Sequence, residues 1–94
     1  MTEKDFQKKV ITLARKLGYK VFHDYDSLRN TAGFPDLVLV GKHVIFAELK
    51  TNTGRLTSPQ EQWIQALSLA EGVYTCVWRP KDWESITKIL TLLR

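Results

Sequence analysis

Ninety-four residues, 44% of them hydrophobic and 26% charged, describe one small globular domain spanning residues 1–94, too apolar to be a disordered chain. The formal net charge of +4 suits a polyanionic partner and equally an ordinary basic surface. A lone cysteine excludes an internal disulfide, and no apolar run approaches the ~20 residues of a membrane span.

Residues 1–9 are polar and charged, unlike a secretory leader, so the expected setting is the cytosol. A first helix is predicted from Thr2 or Glu3, with Thr2 as N-cap and Asp5 in the place that closes a capping box. Phe6, Val10, Leu13, Ala14 and Leu17 then recur at helical spacing, and Gly18 ends the run. Residues 19–23 alternate weakly, as a first strand does. Residues 23–32 are polar and form the longest irregular stretch, a length often associated with function or mobility.

Residues 37–40 and 44–47 are apolar runs of strand length on either side of Gly41-Lys42-His43, a hairpin signal. A second loop occupies residues 51–57. Ser58-Pro59-Gln60-Glu61 then reads as a helix start, with Ser58 as N-cap, Pro59 at the first helical position and Glu61 closing a capping box. Trp63, Ile64, Leu67 and Ala70 supply that helix's apolar stripe, and Gly72 ends it. Residues 73–78 form a fourth strand, in which Cys76 reads as a small core residue rather than a reactive thiol. A last helix covers residues 80–93, with Trp83, Ile86, Leu90 and Leu93 on one face. The order α-β-β-β-α-β-α, with hairpin strands apolar on both sides, predicts an α/β fold: a mixed four-stranded sheet with helices on both faces.

The hairpin ends in charges that a core does not require. A three-residue turn makes Val40 face Val44 and carries the register on until Asp36 faces Glu48; Lys50 then shares a face with Glu48. Two adjacent carboxylates repel each other, and burial penalises their ionised forms. A hard divalent cation relieves both costs and can activate water or polarise a phosphoryl oxygen. Lys50 beside it would orient the attacking water or stabilise charge on a phosphate. The competing reading is a solvated strand end with surface ion pairs, because short D…ExK patterns occur by chance. Three neighbours favour the metal site. Pro35 sets an extended entry to Asp36. Gln60 heads the inward stripe of its helix, whereas Gln62 lies off it. Glu3 heads the face that continues through Phe6, Val10 and Leu17, although an acid there also suits the helix dipole.

The strings Gly33-x-Pro35-Asp36-Leu37, Glu48-Leu49-Lys50, Gly54-Arg55-Leu56 and Gln60-x-x-Trp63, in this order, resemble the VRR-NUC domain of the PD-(D/E)xK nuclease superfamily. The resemblance runs from Glu3 to the last strand. It implies a restriction-endonuclease-like core and a phosphodiesterase dependent on Mg²⁺ or Mn²⁺. Asp36 and Glu48 would match the metal carboxylates, the Leu49 backbone carbonyl a further ligand, Lys50 the catalytic lysine, Gln60 the helix glutamine and Glu3 the first-helix acid. Stand-alone members resemble phage or bacterial enzymes that act on branched DNA such as Holliday junctions as homodimers. A nicking nuclease of little structural selectivity and a DNA-binding module with a vestigial site are the alternative functions.

Arg29, Lys42 and Arg55 are the expected DNA-binding residues, lining a phosphate track beside the metal with Lys50. Lys8, Lys9, Arg15, Lys16 and Lys20, on the first helix and its exit, read as a solvated face. His43 is expected to be exposed in the turn, and His23 is a weaker candidate to reach the site. The three tryptophans are expected in core or interface positions.

Overall fold

The structure is a computed structural model and describes residues 1–24 and 31–94. Helix α1 (Glu3–Lys16) begins at the Thr2 cap. The Thr2 hydroxyl accepts from the Asp5 N–H at 3.1 Å, and the Asp5 carboxylate accepts from the Thr2 N–H at 3.4 Å. These bonds satisfy donors that a helix start otherwise leaves open. Strand β1 (Lys20–His23) follows, then β2 (Leu37–Val40) and β3 (Val44–Leu49). Val40 pairs with Val44 and Leu37 with Ala47, the register a three-residue turn demands. Most of the long polar loop expected at residues 23–32 lies outside the described residues.

Helix α2 (Ser58–Leu69) carries the chain across to β4 (Val73–Trp78), which pairs in parallel with β3. A parallel neighbour requires such a crossover. A 3₁₀ turn (Pro80–Asp82) leads into α3 (Trp83–Leu93). The sheet order is β1-β2-β3-β4, with the first three strands antiparallel. The fold is thus α/β in the order α-β-β-β-α-β-α, with helices on both faces of a mixed sheet.

The two faces are filled differently. Leu37, Leu39, Ile45, Ala47 and Leu49 are fully buried beneath Phe6, Val10 and Ala14 of α1 and Ile86 and Leu90 of α3. Each large aliphatic side chain buried there contributes about 1.5–3 kcal/mol. Tyr19 closes this layer, its hydroxyl donating to the Leu90 carbonyl at 2.8 Å. On the opposite face α2 is held through an aromatic chain. The Phe34 ring meets Trp63 edge-on at 5.1 Å and Phe46 at 6.0 Å. No α2 residue is fully buried, and part of this face stays open, with Phe22 55% and Val40 44% exposed. The cover expected over both sides of the hairpin is therefore complete on one side only, because a single 12-residue helix is too small for the other.

Several expectations need correction. The N-cap of α2 is Thr57, not Ser58, and Gln60, not Glu61, closes the capping box. Both Thr57 and Ser58 have the right chemistry, and Gln60 supplies the carboxamide at the third helical position that selects Thr57. Ala70 is an exposed C-cap rather than part of the stripe. His43 is half-buried; its Nδ1 lies 3.1 Å from the Leu93 carbonyl and its ring packs edge-on against Tyr74 at 5.5 Å. Cys76, by contrast, packs against the core as expected, and burial pushes its thiol pKa up, which keeps it protonated.

Candidate active site

The open ends of β2 and β3 bring the charged residues together. Gly33 makes this approach possible. Its φ is 82°, and a Cβ there would lie 2.4 Å from the Pro59 carbonyl carbon, inside the backbone at the start of α2. Only glycine meets both demands. The chain then passes through buried Pro35 to Asp36. The Asp36 carbonyl accepts from the Asp24 N–H at 3.0 Å, which extends the β1–β2 ladder by one step. Its carboxylate Oδ2 accepts from the Leu49 N–H at 2.8 Å, so Asp36 is pinned to the end of β3 beside Glu48.

Glu48 is the one charged residue buried among the described residues, at 2% exposure. Gln60 holds it from α2, the Gln60 Nε2 donating to Glu48 Oε2 at 3.1 Å. The helix cap decides which way this amide points. Gln60 Oε1 accepts from the Thr57 N–H at 2.8 Å, which leaves only Nε2 to face the carboxyl group. Gln62, the other glutamine at this end of α2, instead reaches Ser58 Oγ at 3.4 Å. The Glu48 pKa is pushed up to about 8. Burial is the main cause and the adjacent Asp36 the next; Lys50 opposes the rise and Glu3 adds to it. Without a counterion Glu48 therefore carries a proton at neutral pH.

Lys50 lies just past β3, half-buried, its backbone N–H donating to the Trp78 carbonyl at 3.0 Å. The turn after it is clamped from the end of β4. Arg79 Nη1 donates to the carbonyls of Thr51 at 2.6 Å and Gly54 at 2.7 Å, and the Lys81 N–H donates to Asn52 Oδ1 at 2.9 Å. Arg79 had no periodic or motif signal in the sequence, since its partners are backbone carbonyls more than 20 positions away.

The structure thus gathers Glu3, Asp36, Glu48, Lys50 and Gln60 at one end of the sheet. The expected DNA-binding residues divide. Arg55 is exposed in the clamped loop on the same side. Lys42 sits in the hairpin turn at the opposite end, roughly 15 Å away at about 3.3 Å per residue. Arg29 lies outside the described residues. His23 lines a groove with Asp36 and Glu3. Lys8, assigned from sequence to a solvated face, lines the same groove, as does Lys4.

A metal ion has a consistent donor set here. Glu48 Oε1 is buried and has no hydrogen-bond partner among the described residues, an acceptor that awaits a cation or a proton. Asp36, Glu48 and the Leu49 carbonyl are the oxygens that could hold it. Among the described residues no group of three or more His, Cys, Asp or Glu suited to a metal is found. A site of two carboxylates is what Mg²⁺-like ions, which keep several waters, ordinarily use.

No curated protein matches the sequence. A solved structure described as a VRR_NUC domain protein superposes with a TM-score of 0.73 at 20% identity, covering 99% of this chain and 88% of the other. The family model of the VRR-NUC domain matches residues 2–77, more than half of the sequence. The chain therefore belongs to the VRR-NUC domain family, a family of nucleases.

Proposed function

We propose that this chain is a single-domain endonuclease that hydrolyses DNA phosphodiester bonds with Mg²⁺ or Mn²⁺ and acts in the cytoplasm on branched DNA, including Holliday junctions, as a homodimer. The observation that carries the reading is the buried Glu48 carboxyl, held by Gln60 beside Asp36 and Lys50, with one oxygen that has no hydrogen-bond partner among the described residues. A fold-only role gives no reason to bury a second acid beside the first.

Asp36, Glu48 and the Leu49 carbonyl would hold the cation. When bound, it would neutralise the carboxylate pair and supply charge stabilisation for the phosphate and an activated water. The chain's own groups do the rest. Gln60 keeps Glu48 in one orientation through the α2 cap. The Lys50 ammonium would hold a non-bridging phosphate oxygen as charge builds on it. Glu3 borders the site from α1. Water is added across the P–O3′ bond, giving 5′-phosphate and 3′-hydroxyl ends. The branched substrate is what the motif resemblance to stand-alone VRR-NUC members implies. The dimer is favoured by the uncovered apolar patch around Phe22 and Val40, and a two-fold pair of sites would suit a symmetric junction.

The test is cleavage of a four-way junction, a flap and a linear duplex at equal concentration with Mn²⁺ or Mg²⁺, with cut sites mapped. Paired symmetric cuts in the junction support the full reading. Equal nicking of all three leaves an unselective nuclease. Full activity in Asp36→Ala or Lys50→Ala overturns the mechanism; each substitution is expected to lower the rate by at least about 10²-fold.

A further inference from the structure

The lysines of α1 do not form one uniform solvated face. Lys9 lies over the Trp83 ring at 4.1 Å, and Lys16 lines a second depression with Leu13 and Trp83, which Lys8 borders as well. Lys4, Gln7, Lys8 and Ile11 instead share one stripe of the helix and form a wall of a groove of about 680 Å³ that ends on Glu3 and Asp36. Lys4 and Lys8 are exposed. Among the described residues the one ion pair is Lys88–Glu84, so neither groove lysine makes a close ion pair there. The groove also presents the carboxylates of Glu3, Asp24 and Asp36, so the two ammonium groups on its α1 wall are the part of it that attracts a polyanion. Lys4 and Lys8 are one helical turn apart, about 6 Å along the axis, comparable to the step from one phosphate to the next in a nucleic-acid strand.

We propose that this groove seats the sugar-phosphate backbone of the substrate strand next to the scissile phosphate, which rests on the reading of Asp36 and Glu48 as the cleavage site. Lys4 and Lys8 contact successive phosphates, Gln7 donates to a phosphate or sugar oxygen, and Ile11 packs against a sugar. Such contacts position a strand without reading its sequence. The groove also answers a difficulty with the turn lysine: Lys42 is at the wrong end of the hairpin, while Lys4 and Lys8 border Asp36.

The experiment is binding of a fluorescein-labelled four-way junction to the full chain in EDTA, by anisotropy, across a salt series. Wild type is compared with Lys4→Gln/Lys8→Gln, with Lys4→Arg/Lys8→Arg, and with Lys16→Gln/Lys88→Gln, which removes the same charge elsewhere. The groove pair is expected to lose about 10–100-fold in affinity at low salt, and its slope of log affinity against log salt to fall by about 2, near 0.9 per phosphate contact. The arginine pair should keep the wild-type slope. An unchanged slope in Lys4→Gln/Lys8→Gln, or an equal change in Lys16→Gln/Lys88→Gln, overturns the proposal. Manganese-dependent cleavage separates the two readings. A wild type that cleaves while the groove variant binds and cleaves normally rejects the groove alone. A wild type that never cleaves, with the groove variant still losing slope, rejects the nuclease reading and keeps the groove as a DNA site.

Discussion

A carboxyl group at 2% exposure beside a second carboxylate does not hold its charge at neutral pH without a counterion. The pH dependence of stability follows from this. Glu48 has an ordinary value of 4.5 and is raised to about 8 in the folded chain. Below about pH 4.5 it is protonated in both states and imposes no penalty. Between 4.5 and 8 the unfolded chain releases the proton while the folded chain keeps it, so stability falls as pH rises and levels off above the folded value. The melting temperature of the metal-free protein should therefore drop between pH 5.5 and 8.5. Glu48→Gln should flatten that drop while its side-chain oxygen still accepts from Gln60. A wild-type curve as flat as the variant's would count against the buried acid. Gly33 makes a second prediction at this scale. A methyl group there meets the Pro59 backbone, so Gly33→Ala should displace the start of α2 and with it Gln60. Together with the strain of a positive φ, this should cost at least about 1–3 kcal/mol by chemical denaturation and lower cleavage more than about tenfold.

Elements meet the site through their ends. The α2 cap and the Glu48 contact use the two halves of one amide, so helix initiation and acid orientation share a residue. This is why Gln60 was legible as an inward-facing residue from periodicity while its cap role was not: both Thr57 and Ser58 can cap, and the capping box that Gln60 closes with Thr57 chose between them. The loop after β3 depends on the end of β4 in the same way. Arg79 Nη1 fastens two carbonyls of the turn that follows Lys50. Arg79→Ala should free that turn and lower kcat by about 10-fold with little change in KM, since Lys50 would be less well placed. Arg79→Lys, which can keep one of the two bonds, should recover part of the loss. Unchanged kcat in Arg79→Ala would show that the clamp is dispensable.

At the scale of the whole molecule the two sheet faces have different fates. One is sealed by α1 and α3, and the other is covered by α2 along β4, which leaves its β1–β2 side open. Phe22 and Val40 lie diagonally across β1 and β2 on the open part, as their register places them. Should this patch join two copies, Phe22→Ser/Val40→Ser will convert a dimer to a folded monomer in sedimentation equilibrium, because Phe22 is 55% and Val40 44% exposed in the single chain. A wild-type monomer at all concentrations would remove the dimer.

The hairpin and what it carries were determined by the sequence alone. Alternation of period two, a three-residue turn and the Pro35 entry set the register, and the register places Asp36, Glu48 and Lys50 at one end. These are local effects, acting between neighbours along the chain, and they leave a periodic trace. The tertiary structure alone decided the rest: the close approach that requires Gly33, the Arg79 clamp, and the division of the α1 lysines between a groove and a tryptophan. Those contacts join segments distant in sequence, and each depends on how helices settle on a sheet, which no spacing along the chain records.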